Sequence, residues 1–196
     1  MYNRFKLVPP VIATGKKVFL CIIDKNDIPI IYETINDREV RKFLRDPDGF
    51  NYMDGELKWY ENLVDHPETD RVFEIRSVQN DEFVGLIGLH KIDWKNSTAY
   101  VGYMSRKAFW GRGYMTEAVS LIDDYAFNDM GMRKLVSSVF EPNVASIKVL
   151  ENNGFKRSGT FREVQFLRDY GYVNEIHFDL LRKEWETIRG INAEKG

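Results

Sequence analysis

The sequence predicts a mixed α/β fold, with helices packed against a central sheet in one domain spanning residues 1–196. Three observations predict it. The apolar spacing changes from helical to alternating and back along the chain. Three alternating segments between residues 71 and 104 follow one another across short polar loops, the pattern of an antiparallel meander. No linker rich in glycine, proline or serine divides the chain, and no internal repeat is present.

Residues 1–16 read as a lead-in, because Pro9-Pro10 argues against regular structure. Lys17 to Ile23 is a first strand. Asp24 is placed to cap a helix with Pro29 early in it, running to about Ile35. Arg38 to Leu44 is a short helix, and Asp46-Pro47-Asp48-Gly49 a loop. Leu57, Tyr60 and Leu63-Val64 recur at helical spacing, which predicts a helix over 54–64. Strands follow at Arg71–Val78, Glu82–Ile92 and Thr98–Met104. Val119, Ile122 and Ala126 form one stripe of a long helix over 113–128. Met132–Phe140 is a strand, Asn143–Asn152 a helix, and Phe155–Phe166 and Tyr172–Leu181 the last two strands. The core runs from about 17 to 185.

A hydrophobic fraction of 43% is enough for a full core, and 28 basic against 30 acidic residues gives a net charge of −2. With no basic tract, nucleic acid is a poor partner, and Phe109 and Trp110 read as packing for a turn rather than as a base-stacking platform. No apolar run approaches the ~18 residues that suggest a membrane span. Residues 1–15 lack the hydrophobic region of a signal peptide. The single cysteine, Cys21, sits in an apolar strand and has no disulfide partner within the chain. Together these lead to the expectation of a cytoplasmic protein. His66, His90 and His177 have no ligand spacing, so no metal is expected.

The segment from Ser105 to Ala118 carries the chemistry. It follows a strand, turns at Gly111 and Gly113, and opens a helix. The first amides of a helix have no internal partners and the helix dipole favours negative charge there, while glycine lets the backbone approach a diphosphate. Arg106 and Arg112 add positive charge. Neither the dinucleotide fingerprint nor the triphosphate loop is present. From the residues alone this is a possible diphosphate site, with a plain tight turn as the alternative.

AYVGYMSRKAFWGRGYMTEA, Ala99 to Ala118, resembles the coenzyme motif of the GCN5-related N-acetyltransferases, with closest likeness to the branch that acetylates ribosomal-protein N-termini. Ala108 stands where that motif has glutamine or arginine. Asn143 to Phe155 is similar to the family's asparagine, serine and glycine-phenylalanine signature. Tyr172 to Trp185 is similar to its final strand, with Asn174 where aspartate is commoner. The resemblance implies a mostly antiparallel mixed sheet that splays at an acetyl-coenzyme A site, direct attack of an amine on the thioester, and no metal. It implies coenzyme contacts from Met104, Ser105, Arg106, Gly111, Arg112, Gly113, Tyr114, Met115, Thr116, Asn143 and Ser146. It also implies that the Ser146 hydroxyl protonates the departing thiolate, and that relatives often form homodimers through late strands.

Each role has a structural rival: Ser146 as a helix-face serine bonding to backbone, Asn143 as a helix cap. For the general base, Glu163 is the first candidate and Glu74 the second, with solvent-facing strand residues as the rival reading; Tyr103 is a candidate acid. Gln165 shares the face of Glu163 if that strand is regular. Tyr52, Trp59 and Tyr60 either line an acceptor cleft or pack a helix. Glu56, Glu61 and Asp65 either attract a cationic amine or form the wet side of that helix. The acceptor is a protein N-terminal amine, a polyamine or an amino sugar; the remaining alternative is a coenzyme-binding module without catalysis.

Overall fold

The computed structural model describes residues 9–191. Eight strands form one sheet in the order β1-β2-β3-β4-β5-β6-β8-β7. Their ranges are β1 Val11–Thr14, β2 Val18–Ile22, β3 Arg71–Ser77, β4 Phe83–Asp93, β5 Thr98–Ser105, β6 Lys134–Phe140, β7 Lys156–Leu167 and β8 Gly171–Leu181. Every pairing is antiparallel except β5 with β6. The meander is β3-β4-β5, as the short polar loops predict.

On one face lie α1 Ile28–Asn36, α2 Arg38–Arg41 and α3 Met53–Asp65; on the other lie α4 Tyr114–Asp124, α5 Val144–Asn152 and α6 Arg182–Ile188. Strand alternation divides the core accordingly. Val72 and Leu86 meet Ile28, Ile31 and Leu57 on the first face. Ile75, Ile87 and Val101 meet Val119, Ile122 and Leu150 on the second. Ile122 and Leu150 are fully buried, and each such side chain stabilises the fold by about 1.5–3 kcal/mol.

Three expectations are corrected. The lead-in contains a strand: β1 pairs with β2. Pro9 and Pro10 precede it rather than interrupt it, and an edge strand tolerates proline at its start; residues 1–8 of the lead-in lie outside the described residues. Asp24 caps a short 3-10 turn, accepting from the Asn26 amide, and α1 begins only at Ile28. A further helix, α6, follows the last strand. It is held by the Glu184 carboxylate accepting from the Leu181 amide at 3.1 Å and by Trp185 stacked on Phe127 at 5.1 Å. The long helix expected over 113–128 is α4 continued by one π turn, Tyr125–Asp129.

Candidate active site

The glycine turn joins β5 to α4. Phe109 is buried and Trp110 Nε1 donates to the Ser105 carbonyl at 3.1 Å, so the aromatic pair packs the turn. Gly111 and Gly113 have φ of 70° and 79°, left-handed values that a β-carbon resists, and Gly113 is the cap of α4. The first turn closes with the Glu117 amide donating to Gly113 O at 3.2 Å, leaving the amides of Tyr114, Met115 and Thr116 at the positive end of the helix.

The Glu117 carboxylate accepts from the amides of Lys16, Lys17 and Val18 at 2.8, 2.6 and 2.9 Å. This ties the start of β2 to the first turn of α4 and brings Lys17 Nζ to 2.7 Å from the Arg112 carbonyl. Lys17 therefore adds a cation at the turn, from nearly a hundred residues away, where no local pattern announces it. Arg112 is exposed, whereas Arg106 is turned toward Glu82 at 3.3 Å and the Phe83 carbonyl.

Beyond the turn the sheet opens. β5 and β6 pair only at Thr98–Tyr100 against Lys134–Val136. Ser137 Oγ then donates to Val101 O at 2.9 Å, and the Ser138 amide to the Tyr100 hydroxyl at 3.1 Å. From Gly102 to Ser105 the β6-side edge of β5 has no strand partner among the described residues. Tyr103 points from this stretch to α5, where its hydroxyl lies 2.8 Å from Ser146 Oγ. Burial pushes the Tyr103 phenol well above its ordinary value, against the pull of Ser146, so it remains a proton donor at neutral pH. Asn143 Oδ1 accepts from the Ser146 amide at 3.2 Å and caps α5, which leaves its Nδ2 for any other contact.

On the other face a cleft of 940 Å³ runs between α1, α3 and strands β4 and β5, with Tyr52, Glu56, Trp59, His90 and Met104 among its walls. Tyr60 packs against the adjacent core, while Glu61 and Asp65 face solvent. Glu56 is turned inward instead: it is 4% exposed and accepts from Asn51 Nδ2. Among the described residues it has no cationic partner within ion-pair distance, so a buried carboxylate faces the cleft uncompensated. His90 Nδ1 lies 2.9 Å from Asp70 Oδ1 at the floor. No local pattern announces that pair, whose members are twenty residues apart and meet only through the β3–β4 fold.

The two carboxylates expected as bases lie elsewhere. Glu74 is fully buried; its oxygens accept from the Asp24 amide at 3.0 Å and from Arg76 Nε at 2.7 Å. Burial pushes it up to about 7 even with Arg76 pulling downward. Leu86 stands between Glu74 and Met104 in the same cross-strand row. Glu163 is exposed on the edge strand β7 at φ 50°, in a register shift between Phe161 and Gln165. The strand is irregular there, so the face-sharing expected of Glu163 and Gln165 does not carry through. Glu163 borders a separate hollow with Thr160, Phe161, Arg162 and Asn174. Cys21 is buried, as its apolar run predicts, and burial raises its thiol to about 12. Among the described residues no cluster of histidine, cysteine and carboxylates could hold a metal ion, and no helix is long and apolar enough to cross a membrane.

Comparison with known proteins follows the same geometry. Residues 18–156 match the family model described as an acetyltransferase (GNAT) domain. The chain is 31% identical over 114 residues to the uncharacterized N-acetyltransferase p20 of Bacillus licheniformis, covering 58% of this chain and 63% of that one. It is 29% identical over 97 residues to a ribosomal-protein-serine acetyltransferase of Escherichia coli strain K12, covering 49% and 54%. Both alignments span less than two thirds of the relative. In fold it is similar to spermidine N-acetyltransferase of Vibrio cholerae, solved with CoA and spermine: TM-score 0.78, 20% identity, 86% of this chain and 97% of that one.

Proposed function

The chain belongs to the acetyltransferase (GNAT) domain family, and from that premise we propose that it is an N-acetyltransferase, moving acetyl from acetyl-coenzyme A to a primary amine, with a peptide N-terminal α-amine as acceptor. The observation that carries this reading is the opening between β5 and β6. An anion-seeking helix N-terminus lies at one end of the unpaired β5 edge, and the 940 Å³ cleft lies on the opposite face of the same residues, Gly102 to Met104.

In this reading the diphosphate rests on the amides from Gly111 to Thr116, helped by Lys17 and Arg112. The pantetheine arm pairs with the free edge of β5. The acetyl oxygen points at the backbone near Met104, where one well-placed amide stabilises the oxyanion by roughly 3 kcal/mol. The amine nitrogen attacks the carbonyl carbon, the C–S bond breaks as the intermediate collapses, and the thiolate takes a proton from the Ser146–Tyr103 hydroxyl pair. No covalent enzyme intermediate is needed.

The acceptor assignment rests on the cleft. Aromatic and aliphatic walls with one uncompensated buried carboxylate, Glu56, suit a single ammonium attached to an apolar body. A polyamine carries several charges and calls for several carboxylates. The similarity to a ribosomal-protein acetyltransferase supports the peptide, and the spermidine enzyme's fold supports the polyamine as the competing acceptor. Coenzyme release from acetyl-coenzyme A against short peptides, polyamines and amino sugars decides between them, with product mass locating the acetyl group. Turnover confined to polyamines overturns the peptide assignment; coenzyme binding with no turnover of any amine overturns the enzyme.

The same proposal treats residues 17–185 as one catalytic unit, cytoplasmic in view of its lone buried thiol, and homodimeric. Among the described residues the outer edge of β7 is unpaired, and Phe161, Val164, Phe166 and Tyr172 are exposed around it. An open apolar strand edge of this length is an association surface. Sedimentation of a monomer at micromolar concentration refutes the dimer.

A further inference from the structure

The cleft contains a histidine that the sequence reading left aside. His90 stands on β4 with its ring laid across two glycines. A β-carbon on Gly88 would sit 2.8 Å from His90 Nε2, and one on Gly102 would sit 3.1 Å from Cδ2 and 3.3 Å from Nε2. Only glycine at both positions leaves room for the ring to lie flat. It thereby leans away from its own partner in the ladder, Tyr100, and toward the row formed by Leu86 and Met104.

The other ring nitrogen is fixed. Nδ1 lies 2.9 Å from Asp70 Oδ1. An ionised carboxylate only accepts, so the neutral ring carries its proton on Nδ1 and presents the Nε2 lone pair. No described residue hydrogen-bonds Nε2, and the side chain is 33% exposed, on the cleft. Gly102 and Met104 share a face of β5 two residues apart, about 7 Å along the strand. An amine over the Met104 backbone is thus within direct reach of Nε2 or one bridging water away, the separation that general base catalysis requires.

We propose that His90 is the general base of the transfer and that Asp70 is its positioning residue. This rests on the acceptor entering by the cleft, as the function proposed above has it. Two protons leave the acceptor nitrogen in the reaction. Nε2 takes the first from the ammonium and passes it to solvent through the open cleft. The neutral nitrogen then attacks, the carbonyl electrons move to oxygen, and Nε2 takes the second proton from the tetrahedral intermediate. Sulfur gains one proton from the Ser146–Tyr103 pair as C–S breaks, and that pair is refilled from water. One proton is released overall, which balances an ammonium and a thioester against an amide and a thiol.

The other charged groups lining the cleft are Arg45, Glu56, Asp70 and Lys91, and its phenols are Tyr52, Tyr100 and Tyr103. Of these residue types and histidine, only histidine ordinarily changes charge between about pH 5 and 8. Buried Glu74, pushed up to about 7, titrates in the same range one strand away and needs its own control.

The test uses the full chain with acetyl-coenzyme A and whichever panel amine the wild type acetylates best. His90→Gln is expected to lower kcat about a hundredfold, within the range that general base catalysis supplies, with coenzyme affinity unchanged. Log kcat/KM of the wild type should fall with a limiting slope of two toward acid, since acceptor and imidazole must each lose a proton. For His90→Gln the slope should be one, and for Glu74→Gln it should remain two. Asp70→Asn keeps the imidazole but unfastens it, and should cost about tenfold in kcat; it carries the test if His90→Gln does not bind coenzyme. His90→Gln within threefold of wild type, a slope lost in Glu74→Gln and kept in His90→Gln, or an unaltered Asp70→Asn overturns the assignment. A wild type that acetylates no amine overturns the proposed function along with it, whereas an active wild type with an active His90→Gln overturns the base alone.

Discussion

The two faces of the sheet meet at the same few residues of β5 but are built differently. The face proposed for the coenzyme is made chiefly of backbone: two left-handed glycines, the first amides of α4 and the unpaired edge of β5. The face proposed for the acceptor is made of side chains delivered by four elements and the loops between them, with Glu56 from α3, His90 from β4 and Tyr100 from β5 among them. A backbone site depends on conformations that a short contiguous stretch specifies. A side-chain cleft depends on where distant segments pack, and a few substitutions on α1 or α3 change its occupant without disturbing the sheet.

Breaking the backbone half should have the largest effect. Gly113→Val forces a β-branched residue to φ near 79° and puts a β-carbon 3.1 Å from Lys17 Nζ. The strain is about 1–2 kcal/mol, and relief of it reorients the first amides of α4. Calorimetry should show acetyl-coenzyme A binding weakened at least tenfold while the peptide KM, once coenzyme is saturating, changes little. The acceptor half should give the opposite signature. Glu56→Gln removes the uncompensated carboxylate but keeps its shape and its bond to Asn51. It should raise the KM for a cationic amine about tenfold, as for a charged hydrogen bond of about 1.5 kcal/mol, with coenzyme affinity unchanged. If both variants move both constants together, the two faces are coupled and the division fails. Between these halves, Ser146→Ala should lower kcat about tenfold with both binding constants held, since Tyr103 remains to donate; general acid catalysis sets the upper end of that loss.

The difference in construction also accounts for what was legible. The Gly111–Gly113 turn, the Asn143 cap and the β3-β4-β5 meander are local, and residue spacing alone located them. Cys21 was placed correctly for the same reason, since an apolar run on both sides implies burial. What residue spacing left open or missed is tertiary. Glu56 follows the helical pattern of a surface residue, yet is buried because the 50–52 segment folds over it. Lys17 reaches the glycine turn only because Glu117 binds three amides a hundred residues away. β1 was missed because proline was read as a breaker where it only precedes an edge. Glu74 is a candidate base by sequence because it interrupts an apolar run; in the fold that interruption is answered by Arg76, which also binds Asp27 at 2.5 Å and Asp81 at 3.2 Å.

Glu74 gives the smallest expected effect and the cleanest check that it belongs to neither half of the site. Its folded-state carboxyl is raised to about 7, chiefly by burial, above the ~4.3 of an unfolded glutamate. The folded state therefore binds the Glu74 proton more tightly than the unfolded state does. The stability this adds is fully present below about pH 4.3 and is lost as pH rises through about 7. Glu74→Gln cannot lose it. Whatever the fixed cost of weakening the contact with Arg76, the Tm of the variant relative to wild type should climb between pH 5 and 8 and level off above. A difference that stays flat with pH, or falls, would mean that Arg76 holds the carboxylate ionised throughout. The base reading of Glu74 would then lose the one property, a titration near neutrality, that still recommends it.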